Sequence, residues 1–247
     1  MEITPEILGE AKAHAMEAIA RSELRLEPYP HIYVEDILPG DFFRVLLEHL
    51  PETDCYRPFV ESGRVSEDYD PRRLVIFHHE DDLGRLPVGL AQFWESFFIC
   101  FHQDDFARTL FEKFSDQLAY LFQPAPGGEV PTIQLHKEVM LIRDLEGYCL
   151  GPHTDTPPKV VTVLFYLPKD ESRPDLGTAI YLPKDRDFAL CGGEHYSFDE
   201  FDHVATQPYV PNRLLSFVCG EQSFHGVEPI KAGQGWRNLI LYDLKIV

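Results

Sequence analysis

Four residues of this chain carry legible chemistry: His153, Asp155, His225 and Arg237. The stretch YCLGPHTDTPPKVVTVLFYLP places His153 and Asp155 two apart, directly before a run of β-branched and aromatic residues. On a strand, residues i and i+2 point to one face, so a His-x-Asp at a strand end can offer both side chains to one ion. Downstream, FVCGEQSFHGVEPIKAGQGWRNLILYD puts His225 at one end of a further strand and Arg237 on the next. Two imidazoles and one carboxylate on one side of an octahedral ion leave positions open, the facial arrangement suited to non-haem Fe(II) and oxygen. A neighbouring arginine, always charged and able to grip a carboxylate with two N–H groups, suits an organic-acid cosubstrate beside the metal.

Spacing alone does not single out this pair. With 11 histidines and 41 acidic residues in the chain, chance supplies roughly two His-x-acid pairs. The chain has five: His78/Glu80, His79/Asp81, His102/Asp104, His136/Glu138 and His153/Asp155. The run from His78 to Asp82 reads as a solvated turn. His102 and Asp104 read as the opening of a helix capped by Asp104 or Asp105. His136 and Glu138 share a strand face with no downstream partner and read as ordinary polar residues. Only His153/Asp155 is followed by both a second histidine and an arginine at strand ends.

The elements that must position these residues fall into two regions. Residues 1–123 mix helix and strand: an amphipathic helix capped by Thr4 with Pro5 in its first turn, a strand at HIYVEDIL, a helix at PGDFFRVLLEHLP, a strand at RRLVIFHH, and one or two helices from Leu90 to Phe122. QPAPGGEVP is a break. Residues 130–247 then alternate short strand-like runs with turns: TIQLHKEVMLIRD, KVVTVLFYLP, GTAIYLP, RLLSFVC, FHGVEPI and WRNLILYDLKI. Even spacing of short strands indicates a sandwich or barrel. The expected fold is mostly β with flanking α, one domain over 1–247, with N-terminal helices buttressing a double sheet.

Composition narrows the function classes. A formal charge of −19 argues against nucleic acid or an anionic membrane as partner. No segment approaches the roughly 18 apolar residues of a membrane span, and the acidic N-terminus is unlike a signal peptide. The five cysteines, Cys55, Cys100, Cys149, Cys191 and Cys219, form no CxxC pair and read as reduced, mostly buried thiols of a cytoplasmic protein.

Residues 139–243 resemble the iron(II)- and 2-oxoglutarate-dependent oxygenases, in particular the prolyl-4-hydroxylase-like branch. LIRDLEGYCLGPHTD is similar to that branch's Arg-Tyr, spaced Gly and His-x-Asp. VVTVLFYLP and LGTAIYLP resemble its Thr-containing and Gly-Thr strands, and SFHGVEPIKAGQGW its distal-His segment. PYPHIYVEDILPGDFFRVLLEHLP is similar, more weakly, to the opening strand and helix. The resemblance implies a double-stranded β-helix (jelly-roll) core, with Fe(II) held by His153, Asp155 and His225 and the distal carboxylate of 2-oxoglutarate held by Arg237. It implies consumption of O2 and 2-oxoglutarate, release of succinate and CO2, and hydroxylation of an unactivated C–H bond. Asp155 favours hydroxylation over halogenation, since related halogenases replace this carboxylate to admit chloride.

Two departures stand out. The branch's basic residue often sits just before the Trp, where this chain has Gly235, so Arg237 takes the role two residues on. The Tyr of the Arg-Tyr pair is Asp144, and Thr162 or Arg143 is the candidate replacement for its hydroxyl in cosubstrate binding. A small molecule or amino-acid derivative is the expected substrate, with a protein side chain as the alternative. The polar segment ESGRVSEDYDPRRLVIF is a candidate lid in which Arg64, Arg72 or Arg73 meets a substrate carboxylate. Two rival classes share the ligand set: a zinc hydrolase, and a non-catalytic sensor of metal or 2-oxoglutarate.

Overall fold

The most hydrophobic strands of the chain are continuous rather than alternating, and their surroundings explain why. A strand buried on both faces needs apolar residues at every position. In the computed structural model, which describes residues 4–78, 81–123, 132–193, 195–233 and 235–247, the central sheet is covered by helices on one side and by a second sheet on the other.

The strands are β1 (His31–Glu35), β2 (Arg57–Pro58), β3 (Arg73–Phe77), β4 (Leu135–Asp144), β5 (Leu150–His153), β6 (Lys159–Tyr166), β7 (Thr178–Pro183), β8 (Phe201–Gln207), β9 (Arg213–Val218), β10 (His225–Val227) and β11 (Arg237–Ile246). Seven form the major sheet in the order β1-β9-β6-β11-β4-β3-β2, and four form the minor sheet in the order β5-β10-β7-β8. All pairings are antiparallel. This is the expected double-sheet jelly roll with helices behind it.

The helices are α1 (Pro5–Arg21), α2 (Gly40–Glu48), α3 (Val88–Phe101), α4 (Asp104–Lys113) and α5 (Ser115–Leu118). Thr4 caps α1 as expected, its hydroxyl accepting from the Ile7 amide, with Pro5 in the first turn. Val139, Leu141, Val161, Val163, Phe165, Ile240 and Tyr242 point from the major sheet towards the helices. There they meet a stack of rings: Phe97 lies 4.4 Å from Phe101, Phe101 lies 5.1 Å from Phe106, and Phe106 lies 5.2 Å edge-on to Tyr242. Met140, Ile142, Leu164, Leu215, Phe217, Leu239 and Leu241 point the other way, into the space between the sheets.

Several local expectations are corrected. The helix expected at Asp104 starts there, but its cap is Gln103 without a side-chain bond, and His102 instead ends α3 and reaches the Lys137 carbonyl. Asp105 is used as an ion-pair partner of buried Lys12, tying α4 to α1. In the acidic run after β3, His79 and Glu80 lie outside the described residues. Asp82, however, is buried rather than solvated, accepting from the Arg57 guanidinium and the Phe77 amide. Among the cysteines, all free, only Cys219 is buried, and Cys149 and Cys191 are exposed in loops. No helix among the described residues is long and apolar enough to cross a membrane.

Strands β5 and β10 approach so closely that Gly226 has no room for a side chain: a Cβ there would lie 2.6 Å from the Leu150 carbonyl oxygen. Gly226→Ala is expected to lower stability in urea unfolding by about 2 kcal/mol. Gly220→Ala, with open space around it, serves as the neutral control. An unshifted midpoint for Gly226→Ala would mean that the two strands part without cost.

Candidate metal and cosubstrate site

The pairing of β5 with β10 sets His153 directly opposite His225. Residues facing each other across an antiparallel pair carry side chains on the same side, about 5 Å apart at Cβ, and the two imidazole rings lie 4.3 Å centre to centre. Each ring is turned by its own backbone. His153 Nδ1 lies 3.0 Å from the Gly151 carbonyl oxygen, and His225 Nδ1 lies 2.9 Å from that of Ser223. A carbonyl only accepts, so Nδ1 carries the proton in both rings and the Nε2 lone pairs are left for a metal.

Asp155 follows β5 and completes the set: one ligand atom from each of His153, Asp155 and His225 lies within 4.8 Å of the others, and all three residues are buried. Asp155 Oδ2 is 3.9 Å from His225 Nε2. Burial pushes both histidines below their ordinary range, and for His153 the neighbouring His225 adds to the effect. Both are therefore neutral at neutral pH, the form that ligates. For Asp155, burial acts upward, but Lys159 and the Thr162 hydroxyl bond the carboxylate and hold it well below the usual range.

Two side chains not assigned to the metal hold Asp155, and a third, Asp243, acts through one of them. Thr162 on β6 donates to Oδ2 at 2.7 Å. Lys159 donates to Oδ1 at 3.0 Å and pairs equally with Asp243 on β11. Asp243 faces Thr162 across the β6–β11 pair, so one row of the major sheet carries the support for the Asp155 carboxylate. Neither Lys159 nor Asp243 stands out in the sequence, because a lysine after two prolines and an aspartate near a C-terminus each read as surface residues. Their role appears only once the register is known.

Arg237 opens β11 opposite Asp144, and Asp144 lies opposite Arg73 on β3, so three charges stand abreast on adjacent strands. Asp144, fully buried, accepts two bonds from Arg73 at 2.7 and 3.0 Å and one from Arg237 at 2.9 Å. Arg237 Nη2 donates to Thr178 on β7 at 2.9 Å, while its buried Nε finds no partner. Two guanidinium groups against one carboxylate leave a net positive charge, and the orphaned Nε is an unsatisfied donor that a bound acceptor would complete. This is what the sequence departure at Asp144 does: it fixes the fork of Arg237 from one side.

Of the sequence candidates, His153, Asp155, His225, Thr162 and Arg237 line one cavity of about 60 Å³, together with Arg73, Thr178, Leu164 and Leu239. Arg143 does not join them. It alternates with Asp144 on β4 and so points to the helix-side face, bonding Asn238 and Thr53 and lying over the rings of Tyr56 and Trp236. A wider cleft of about 980 Å³ adjoins the site, sharing His153, Asp155, Lys159 and Arg73 with the small cavity. Arg64, Val65, Ser66, Asp68 and Tyr69 from the expected lid segment line it, whereas Arg72 turns away to Asp70 and the Gly147 carbonyl. His195, not singled out in the sequence, lies at its mouth 4.9 Å from the His153 ring.

No family model matches this chain, and no curated protein does. Solved structures do. A prolyl-4-hydroxylase from Pseudomonas putida superposes with a TM-score of 0.51 at 15% identity, over 95% of this chain and 98% of that one. An oxidoreductase of the 2OG-Fe(II) oxygenase family from Burkholderia pseudomallei gives 0.50 at 12% identity, over 93% and 89%.

Lys159 is the counter-charge for two buried carboxylates. Lys159→Met is expected to cost about 3 kcal/mol in urea unfolding, because Asp155 and Asp243 lose their shared cation. Added Zn²⁺ should then raise the melting temperature of the variant more than that of the wild type, the ion replacing the ammonium charge. Equal shifts would remove Lys159 from the support of Asp155. By fold, the chain belongs with the double-stranded β-helix architecture of these oxygenase structures.

Proposed function

We infer that this protein is a non-haem Fe(II)- and 2-oxoglutarate-dependent oxygenase that hydroxylates an unactivated C–H bond of a small-molecule or amino-acid-type substrate. One observation carries the reading: a buried His-Asp-His set with both Nε2 lone pairs free shares a cavity with a buried arginine whose Nε lacks a partner. The donor set fits Fe(II), which takes imidazole and carboxylate and keeps positions open in this facial arrangement. The excess positive charge at Arg237 fits a dicarboxylate.

Iron and 2-oxoglutarate, when bound, supply an oxidant from O2 as the keto acid becomes succinate and CO2. The chain's own part is placement. His153, Asp155 and His225 would hold the metal, with Thr162 and Lys159 fixing the carboxylate. Arg237 would hold the distal carboxylate of the cosubstrate, its fork set by Asp144 and Thr178. Leu164, Leu239 and Val227 give the small cavity its apolar wall. The adjoining cleft offers room for the primary substrate against the metal-facing side of His153 and Asp155. The ionised carboxylate at Asp155 favours hydroxylation over halogenation. A zinc hydrolase would use the same three ligands but leaves the Arg73–Asp144–Arg237 row without a role.

Anaerobic addition of Fe(II) and 2-oxoglutarate is expected to produce the weak visible charge-transfer band of the chelate, absent in His225→Ala and Asp155→Ala. Iron demonstrably bound without a band would overturn the cosubstrate assignment. Arg237→Ala should retain iron and weaken 2-oxoglutarate binding by about 30-fold or more, as for truncating one partner of a buried charge pair. An unchanged dissociation constant would remove Arg237 from the site.

A further inference from the structure

The cleft wall beside the metal site contains a carboxylate whose partner is borrowed. Glu138 is 5% exposed and lies on the inner face of β4. One of its oxygens accepts from Lys245 on β11 at 2.6 Å, a contact between two scaffold strands. Its other oxygen accepts from the Arg64 guanidinium, which comes from the cleft-lining segment between β2 and β3. That guanidinium also lies over the face of Phe77, 4.3 Å from the ring centre. Phe77 pairs with Met140, which places it diagonally from Glu138 on the same sheet face, within reach of one ligand. A carboxylate beside an aromatic face is the chemistry that recognises an organic cation.

We propose that Glu138 and Phe77 form the substrate's cation subsite, and that Arg64 occupies it as a stand-in when the cleft is empty. The substrate is then a small molecule carrying a primary amine or guanidinium, a conclusion that rests on the oxygenase reading for calling the ligand a substrate. Glu138 lies opposite Asp243, and Asp243 lies opposite Thr162, whose hydroxyl bonds Asp155. Two strand spacings separate the cation subsite from Thr162, so the charge sits on the order of 10 Å from the metal-facing carboxylate. The reacting carbon is accordingly several bonds from the cation rather than adjacent to it. The formal charge of −19 would draw such a ligand in from solution. Arg64 is 30% exposed at its side chain and Glu138 6%, so the loop-borne partner is the one positioned to leave.

Titration calorimetry of the metal-free protein with n-butylguanidinium, n-butylammonium and butyrate tests this. Both cations are expected to bind the wild type and to bind Arg64→Met about tenfold more tightly, because a subsite mostly filled by its own side chain weakens apparent affinity in proportion. Glu138→Gln should bind neither cation, and butyrate should not bind at Glu138 in any variant. Methionine at 64 carries no charge to compete for Glu138, and circular dichroism checks folding of both variants. Equal affinity in the wild type and Arg64→Met, cation binding that survives Glu138→Gln, no cation binding to Arg64→Met, or butyrate binding that is lost on Glu138→Gln would each overturn the proposal. Neither iron nor 2-oxoglutarate is present, so failure here leaves the oxygenase reading intact. Failure of the chelate band leaves the cation subsite intact.

Discussion

The site depends on one backbone register, the pairing of His153 with His225 across β5 and β10. A one-residue slip in either strand would turn that imidazole to the opposite face. The register is held from outside the site. Gly226 lets the two backbones meet at a distance that no side chain would tolerate, and Gly151 passes closer still to the Tyr196 carbonyl. With the rings opposite each other, each needs only its own i−2 carbonyl to set its tautomer. Asp155 is different. It lies past the end of β5, so its position is fixed by side chains of the other sheet, Thr162 and Lys159. The His-Asp-His cluster is thus held by two sheets.

Charge is organised in rows across the major sheet. Arg73, Asp144 and Arg237 stand abreast at one end, and Glu138, Asp243 and Thr162 towards the other. Burying isolated charges is costly, and each member here is paired or bonded to a neighbour. The two rows carry opposite bias. The first has an excess guanidinium, which suits an anionic ligand. The second presents carboxylates whose cations come from Lys159, Lys245 and Arg64.

Much of this was legible in the sequence, and the exceptions have physical causes. The long strands β4, β6, β9 and β11 were readable because burial on both faces makes them continuous apolar runs. Strand β8 escaped notice because FDHVATQ is largely exposed between its buried ends and carries no hydrophobic pattern. Strand β5 was hidden by Gly151 and Pro152, which its place at the edge of the minor sheet permits. The candidate ligands could be found because a His-x-Asp before a strand, a distal His and an Arg form a local pattern. Arg143 was misplaced because adjacent strand residues point to opposite faces, and nothing local tells which of Arg143 and Asp144 faces inward. Lys159, Asp243 and Glu138 act through partners on other strands, so their roles exist only in the register.

The ring stack behind the major sheet and the segment 59–72 in front of it divide the molecule by how freely it can change. Phe97, Phe101, Phe106, Phe165 and Tyr242 interlock, so substitution of one disturbs the others. Among the described residues, no hydrogen bond joins segment 59–72 to His153, Asp155 or His225. Replacing that segment would therefore redraw the cleft wall without breaking a hydrogen bond to His153, Asp155 or His225. The shape of the cleft in such a fold can drift by exchange of one surface strap, provided that its buried partners, Glu138 beneath Arg64 and Tyr148 beside Tyr69, are matched by the new segment.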